Sequence, residues 1–349
     1  MPDTIVPAAL RKGDTIAFVS PSKRLNTSHP AALKRAKDFF EAHGYKVKVI
    51  FDETEMEGLR ATTLKRCEEL HSAFRDPEVK AVLCTSGGHG ADELLRHLDY
   101  DLIRANPKIF AGYSDITQLI YAIFLNTGLR GFYAPAAITE FADLPAPPSF
   151  TADHFFHVLA NPTNEAVGPI PQSKEWFPDL AKFLLEDPNS VEPRASRPNP
   201  GWKWLRPGKT TGRIHGGSFA VLYQIKGTKF CPSSHRGKIL MLETSMGASL
   251  REPVPFAQLR LQLSQLVNTG IFDEIAGLLV GRWYGYNDDE RLEVEKLLLE
   301  FLEETAFPIL ANVDFGHTDP QLTIPFDALA SLDSEKNEFV ILEAGVKGN

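Results

Sequence analysis

Apolar positions in the first 140 residues follow two alternating spacings. "DTIAFVSPS" is a β-rich run that ends in Ser-Pro-Ser, and "YKVKVI" alternates with the period of a strand. "PAALKRAKDFFEAHG" carries its apolar residues at helical spacing and stops at Gly44. "TLKRCEELHSAFRDP" is a second helix, closed by Asp76-Pro77. "VKAVLCTSGG" then predicts a strand running into glycines, followed by a helix over "ADELLRHL". "PKIFAGYS" and "DITQLIYAIFLNTG" repeat the pair. Strands alternating with helices argue for a parallel α/β sheet.

The pattern breaks over residues 141–211, which are rich in Pro, Asn and Ser. This stretch reads as a linker with one embedded helix, "FTADHFFHVLAN", and a long loop ending in "GWKWLRPGKTTG". Residues 212–349 resume as a second mixed unit, with "GKILMLETS" as an apolar strand and a tail, "QLTIPFDALASLDSEKNEFVILEA", that suggests a β-hairpin. The expected organisation is an N-terminal domain over 1–140, a linker and substrate loop over 141–211, and a C-terminal domain over 212–349.

Composition narrows the function classes. A chain of 349 residues that is 43% hydrophobic and 23% charged can bury full cores in two domains. A net charge of −8 without a Lys/Arg run argues against nucleic acid as a partner. No stretch approaches the ~20 apolar residues of a membrane span. The start has no basic region leading into a long apolar core, so no signal peptide is expected. Cys67, Cys84 and Cys231 are scattered and odd in number, which fits a reducing, cytoplasmic setting and gives no metal spacing. No metal and no cofactor is implied.

Candidate chemistry begins at "KIFAGYSDITQLI". Ser114 falls at a strand-to-helix corner two residues after Gly112, where a nucleophile elbow would hold its hydroxyl out. The G-x-S-x-G pattern is half met, since Ile116 replaces the second glycine, and on this segment alone a helix cap by Ser114 or Asp115 is the simpler account. "TSGGHGADELL" is a glycine loop one strand earlier, able to cradle an oxyanion or to serve as a plain tight turn. A hydroxyl nucleophile needs a base and an orienting acid. Among ten histidines, His71 and His97 sit in helices with charged neighbours and are expected to be solvated. His317 lies in a Gly/Asp/Pro corner after a β-rich run. Glu243 ends the apolar run "KILML", where a carboxylate is costly unless paired.

Taken together, "AVLCTSGGHGADELLRHLDYDLIRANPKIFAGYSDITQLI", "GRIHGGSFAVLYQIKGT", "KILMLETS" and "VDFGHT" resemble the signature blocks of the LD-carboxypeptidase family of serine peptidases, in the family's order along the whole chain. The resemblance implies a flavodoxin-like N-terminal domain joined to a mixed α/β C-terminal domain of β-barrel-like, swivelling type, acting as a homodimer on a small-molecule substrate. It implies Ser114 as nucleophile, Glu243 as orienting acid and His317 as base. It also implies Gly88 and Asp115 N–H groups as the oxyanion hole, with Gly87 beside the substrate. Two subgroups are similar. One removes the terminal D-alanine from murein tetrapeptides. The other, the microcin C self-immunity peptidases, cleaves aminoacyl-nucleotide amides and uses a loop tryptophan against the base, for which Trp204 is the match and Trp202 the alternative. Both tryptophans could equally pack a domain seam. From other classes, a non-catalytic binding module on the same fold and a phosphate binder using "SGGHG" remain as rivals.

Overall fold

The computed structural model describes residues 2–54 and 56–348. Strands β1 (Thr15–Val19), β2 (Lys46–Ile50), β3 (Val79–Cys84), β4 (Ile109–Gly112) and β5 (Phe132–Tyr133) are parallel and lie in the order β2-β1-β3-β4-β5. That order matches the flavodoxin-like doubly wound sheet, whose ligands bind outside the carboxyl ends of the strands. β1 and the inner part of β3 are apolar and buried, as expected of strands covered on both faces.

The chain continues through the two-residue strands β6 (Gly168–Pro169), β7 (Glu175–Trp176) and β8 (Arg197–Pro198) into β9 (Lys203–Arg206) and the long β10 (Lys209–Ser218). Then follow β11 (Lys238–Thr244), β12 (Gly277–Trp283), β13 (Ile309–Val313), β14 (Ile324–Pro325), β15 (Leu329–Asp333) and β16 (Glu338–Ile341). The C-terminal sheet is mixed, in the order β6-β16-β15-β10-β11-β12-β13-β9. Its centre, β10 to β13, is parallel, and antiparallel strands flank it on both sides. The expected tail hairpin is β15–β16. Ile324–Pro325 departs from that expectation and pairs with β5, so the C-terminal segment adds an antiparallel edge to the N-terminal sheet.

The two sheets share a core. Helix Thr117–Thr127 is apolar nearly all round, and it packs between the β4 side and the second domain. Tyr121 and Phe124 contact the Phe326 ring at 4.8 and 5.2 Å. Gly217 on β10 approaches this helix so closely that a Cβ there would lie 2.7 Å from Thr117 Oγ1. The carboxyl ends of both parallel strand sets meet at this seam.

Four local expectations are corrected. "ADELLRHL" forms a short 3-10 turn, Asp92–Leu94, and the helix starts later at Tyr100, capped by the Asp99 side chain. "GWKWLRPGKTTG" is not a loop: it forms β9 and the start of β10, because antiparallel pairing with β13 and β15 gives its backbone groups partners. The rest of 141–211 holds short strands as well as the expected helix, observed at Ser149–Leu159. His71 is buried rather than solvated, and its Nε2 accepts the Asp99 N–H at 2.9 Å.

Candidate active site

Ser114 stands just beyond the carboxyl end of β4, at the start of the turn Ser114–Ile116 that leads into helix Thr117–Thr127. Its φ is +60°, a left-handed conformation that costs a non-glycine residue about 1–2 kcal/mol and is held only by its surroundings. The turn pushes the hydroxyl out of the sheet, as an elbow requires. The glycine loop after β3 makes this possible. A Cβ on Gly87 would lie 2.6 Å from Ser114 Cβ and 3.0 Å from its Oγ.

The second domain supplies the partners. His317 follows β13 and brings its Nε2 to 2.9 Å from Ser114 Oγ. Its Nδ1 lies 2.7 Å from Glu243 Oε2, at the end of β11. Glu243 is fully buried, and its other oxygen, Oε1, accepts the Tyr133 hydroxyl at 2.9 Å. The order is Ser114···His317···Glu243···Tyr133, two residues from each domain. Burial and the adjacent Glu243 push the Tyr133 pKa well above its ordinary value, which keeps it a donor. Gly316 lets the His317 corner settle on Glu243, since a Cβ there would come within 2.9 Å of Glu243 Oε2.

The other carboxylates near His317 are occupied. Asp314 pairs with buried Arg282 and accepts from Ser173. Asp319 pairs with Arg194 at 2.8 Å. Tyr113 sets its ring edge-on to His317, with centroids 5.2 Å apart, and donates to Glu140 at 2.8 Å. Burial, followed by the charge of Asp319, raises the Glu140 pKa to about 7.

Ser114, Gly88 and Asp115 line one cleft of about 780 Å³ together with Ser218, Lys229 and Phe230. The Asp115 side chain does not face it as a free acid. Its Oδ2 accepts Ser22 Oγ–H at 2.6 Å and Ala91 N–H at 3.0 Å, and its Oδ1 accepts Gln118 at 2.6 Å. One carboxylate therefore ties together the β1 exit, the glycine loop and the serine turn. Trp204 lies elsewhere. It sits in β9 opposite Leu310, donates its indole N–H to Asn337 at 2.8 Å, and lines no part of the Ser114 cleft. Trp202 is half-buried near Phe339, with ring centroids 6.4 Å apart.

Comparison with known proteins gives a family. Residues 16–134 match the LD-carboxypeptidase N-terminal domain, and residues 211–332 match the LD-carboxypeptidase C-terminal domain. The chain belongs to the LD-carboxypeptidase family of serine peptidases. A putative carboxypeptidase of Vibrio cholerae is 31% identical over 97% of this chain and 98% of its own. A probable murein peptide carboxypeptidase of Bacillus subtilis is 31% identical over 97% and 95%. The microcin C7 self-immunity protein MccF of Escherichia coli is 29% identical over 97% and 96%. A solved structure of MccF in complex with glutamyl sulfamoyl guanosine superposes with a TM-score of 0.87 at 26% identity, covering 98% of this chain and 99% of that one.

Within this family frame, sequence reasoning missed Tyr133 and the Asp115 carboxylate. "GFYAP" gave no sign that its tyrosine reaches the second domain. The local pattern at Asp115 indicates a helix cap and a backbone donor, not its side-chain bonds to Ser22, Ala91 and Gln118.

Proposed function

We propose that this peptidase cleaves an amide bond of a small peptide or aminoacyl-nucleotide by a Ser-Glu-His mechanism. Ser114 Oγ attacks the carbonyl carbon while His317 Nε2 takes its proton. His317 then passes the proton to the leaving amine, and water releases the acyl group by the same route. Glu243 holds the imidazole through Nδ1 and stabilises its cationic form, and Tyr133 holds Glu243. Gly88 and Asp115 N–H groups receive the oxyanion, with Gly87 giving the substrate access to Ser114. The observation that carries the reading is the unbroken hydrogen-bonded chain from Ser114 through His317 to Glu243, beginning at a residue held at φ +60°.

The aminoacyl-nucleotide reading draws on the likeness to MccF along the full chain. It does not draw on Trp204, which is engaged within the C-terminal sheet. The Bacillus subtilis relative favours a second reading, release of the terminal D-alanine from murein tetrapeptides. A rate comparison on a murein tetrapeptide and an aminoacyl-sulfamoyl adenosine separates the two. Hydrolysis of the nucleotide amide at least tenfold faster supports the first, and the reverse supports the second. The protein is read as a cytoplasmic homodimer. Among the described residues, no helix is long and apolar enough to cross a membrane.

A further inference from the structure

Thr228 and Lys229 line the Ser114 cleft and also a second hollow of about 1160 Å³. The second lining is chemically one-sided. Among the described residues it carries Arg104, Lys226, Lys229, Arg236 and Lys238 and no Asp or Glu. The chain as a whole has a net charge of −8, so this is a local reversal of sign.

Lys238 is already engaged, 3.1 Å from Asp327. Among the described residues, the other four cations have no carboxylate within ion-pair distance. Glu274 stands just outside the lining. It accepts from Ser234 Oγ at 2.8 Å and from His235 N–H at 2.7 Å, and it feels Arg236 and Lys226. It is one negative charge beside four unpaired positive ones.

Like charges gathered in a concave surface repel one another and focus a positive potential into it. A single carboxylate needs only one of these groups. A phosphate or pyrophosphate brings two or more charges and several acceptor oxygens, and guanidinium forks such as those of Arg104 and Arg236 match phosphate oxygens in pairs. Thr228 and Ser233 add hydroxyl donors to the same wall.

We propose that this hollow binds the phosphate-bearing end of a substrate whose amide lies at Ser114, with Lys229 at the junction of the two cavities. This rests on the reading of the cleft as the hydrolytic site. Its ligand class is a phosphomonoester or a pyrophosphate.

Inorganic pyrophosphate is the probe, titrated by calorimetry into Ser114→Ala protein, where no chemistry is needed. Binding should weaken steeply with salt and fall at least tenfold in Lys226→Glu/Arg236→Glu. Neither of these residues lines the Ser114 cleft, and Arg104→Glu gives an independent variant should the double one fold poorly. In wild-type enzyme, pyrophosphate should compete with an amide substrate that carries a terminal phosphate. The double variant should raise KM for that substrate at least tenfold and leave its unphosphorylated twin within twofold. Absence of pyrophosphate binding, binding unchanged in the charge-reversed variants, or binding that does not compete with the phosphorylated substrate overturns the proposal. Because the titration uses protein that cannot turn over, a failure of the assigned Ser114 chemistry leaves its result standing.

Discussion

The Tyr133 hydroxyl, from the last parallel strand of the N-terminal sheet, donates to Glu243 Oε1 at 2.9 Å across the domain seam. Both groups are buried, Glu243 completely. Glu243 thus has one oxygen for His317 and one for the opposite domain, so both domains hold this carboxylate.

Tyr133→Phe leaves a buried carboxylate oxygen without its donor, which costs about 1–3 kcal/mol. We expect urea unfolding to show a loss of that size. We also expect kcat to fall roughly tenfold, as about 1.4 kcal/mol of the barrier corresponds to a factor of ten. If both stay at wild-type values, Tyr133 does not hold Glu243.

Gly87→Ala places a methyl group where only 2.6 Å separates it from Ser114 Cβ. Ser114 or the glycine loop must shift, and a displacement of about 1 Å at a reacting group costs on the order of 100-fold in rate. Steady-state kinetics should show that loss in kcat/KM with the far-UV circular dichroism unchanged. Activity within threefold of wild type would mean that the loop does not constrain the serine.

Asp115 separates a positioning carboxylate from a backbone donor. Asp115→Asn keeps an oxygen for Ser22 and Ala91, and Gln118 can turn its amide to meet the new NH₂ group. It should retain most of kcat. Asp115→Ala releases all three partners while keeping the backbone N–H, and kcat should drop more than tenfold with KM little changed. Equal kinetics for the two variants would assign the side chain no part in fixing the loop.

Acid should destabilise the fold through His154. This buried ring accepts the Thr323 N–H at Nδ1, 3.1 Å away, and burial lowers its pKa from 6.5 to about 3. Between those values the unfolded chain binds a proton that the folded one refuses. Stability is therefore complete above 6.5 and declines as pH falls toward 3, by about 1.4 kcal/mol per unit from this residue. Urea unfolding at pH 7.5 and 5.0 measures the slope, and His154→Gln should reduce it by that amount, with buried His235, whose pKa is likewise lowered to about 3, sustaining part of the remainder. An unchanged slope would place the acid sensitivity elsewhere.

The parallel N-terminal sheet was legible because buried strands and amphipathic helices carry different periods, as in "VKAVLC" and "PAALKRAKDFFEA". Ser114, Glu243 and His317 were marked by their places at strand ends. What joined them was the resemblance, since their spacing along the chain says nothing about distance in space. The strand at Trp204 was hidden because Gly201, Pro207 and Gly208 punctuate it like a loop, and only pairing with distant β13 makes it extended. His71 is not legible as buried because Glu68, 3.9 Å from its Nδ1, gives it a charged neighbour on its own helix face, while the Asp99 N–H that its Nε2 accepts comes from a distant turn. The hydrogen bonds of Tyr133 and Asp115 are tertiary, and no local pattern encodes them.

The central claim is that Ser114 Oγ becomes covalently bonded during turnover. Mass spectrometry after treatment with a serine-reactive fluorophosphonate tests it directly. The account predicts one adduct, carried by the peptide containing Ser114, formed far more slowly in His317→Ala and not at all in Ser114→Ala. An enzyme that hydrolyses its amide substrate while that peptide stays unmodified, or that carries the adduct on another serine, would contradict it.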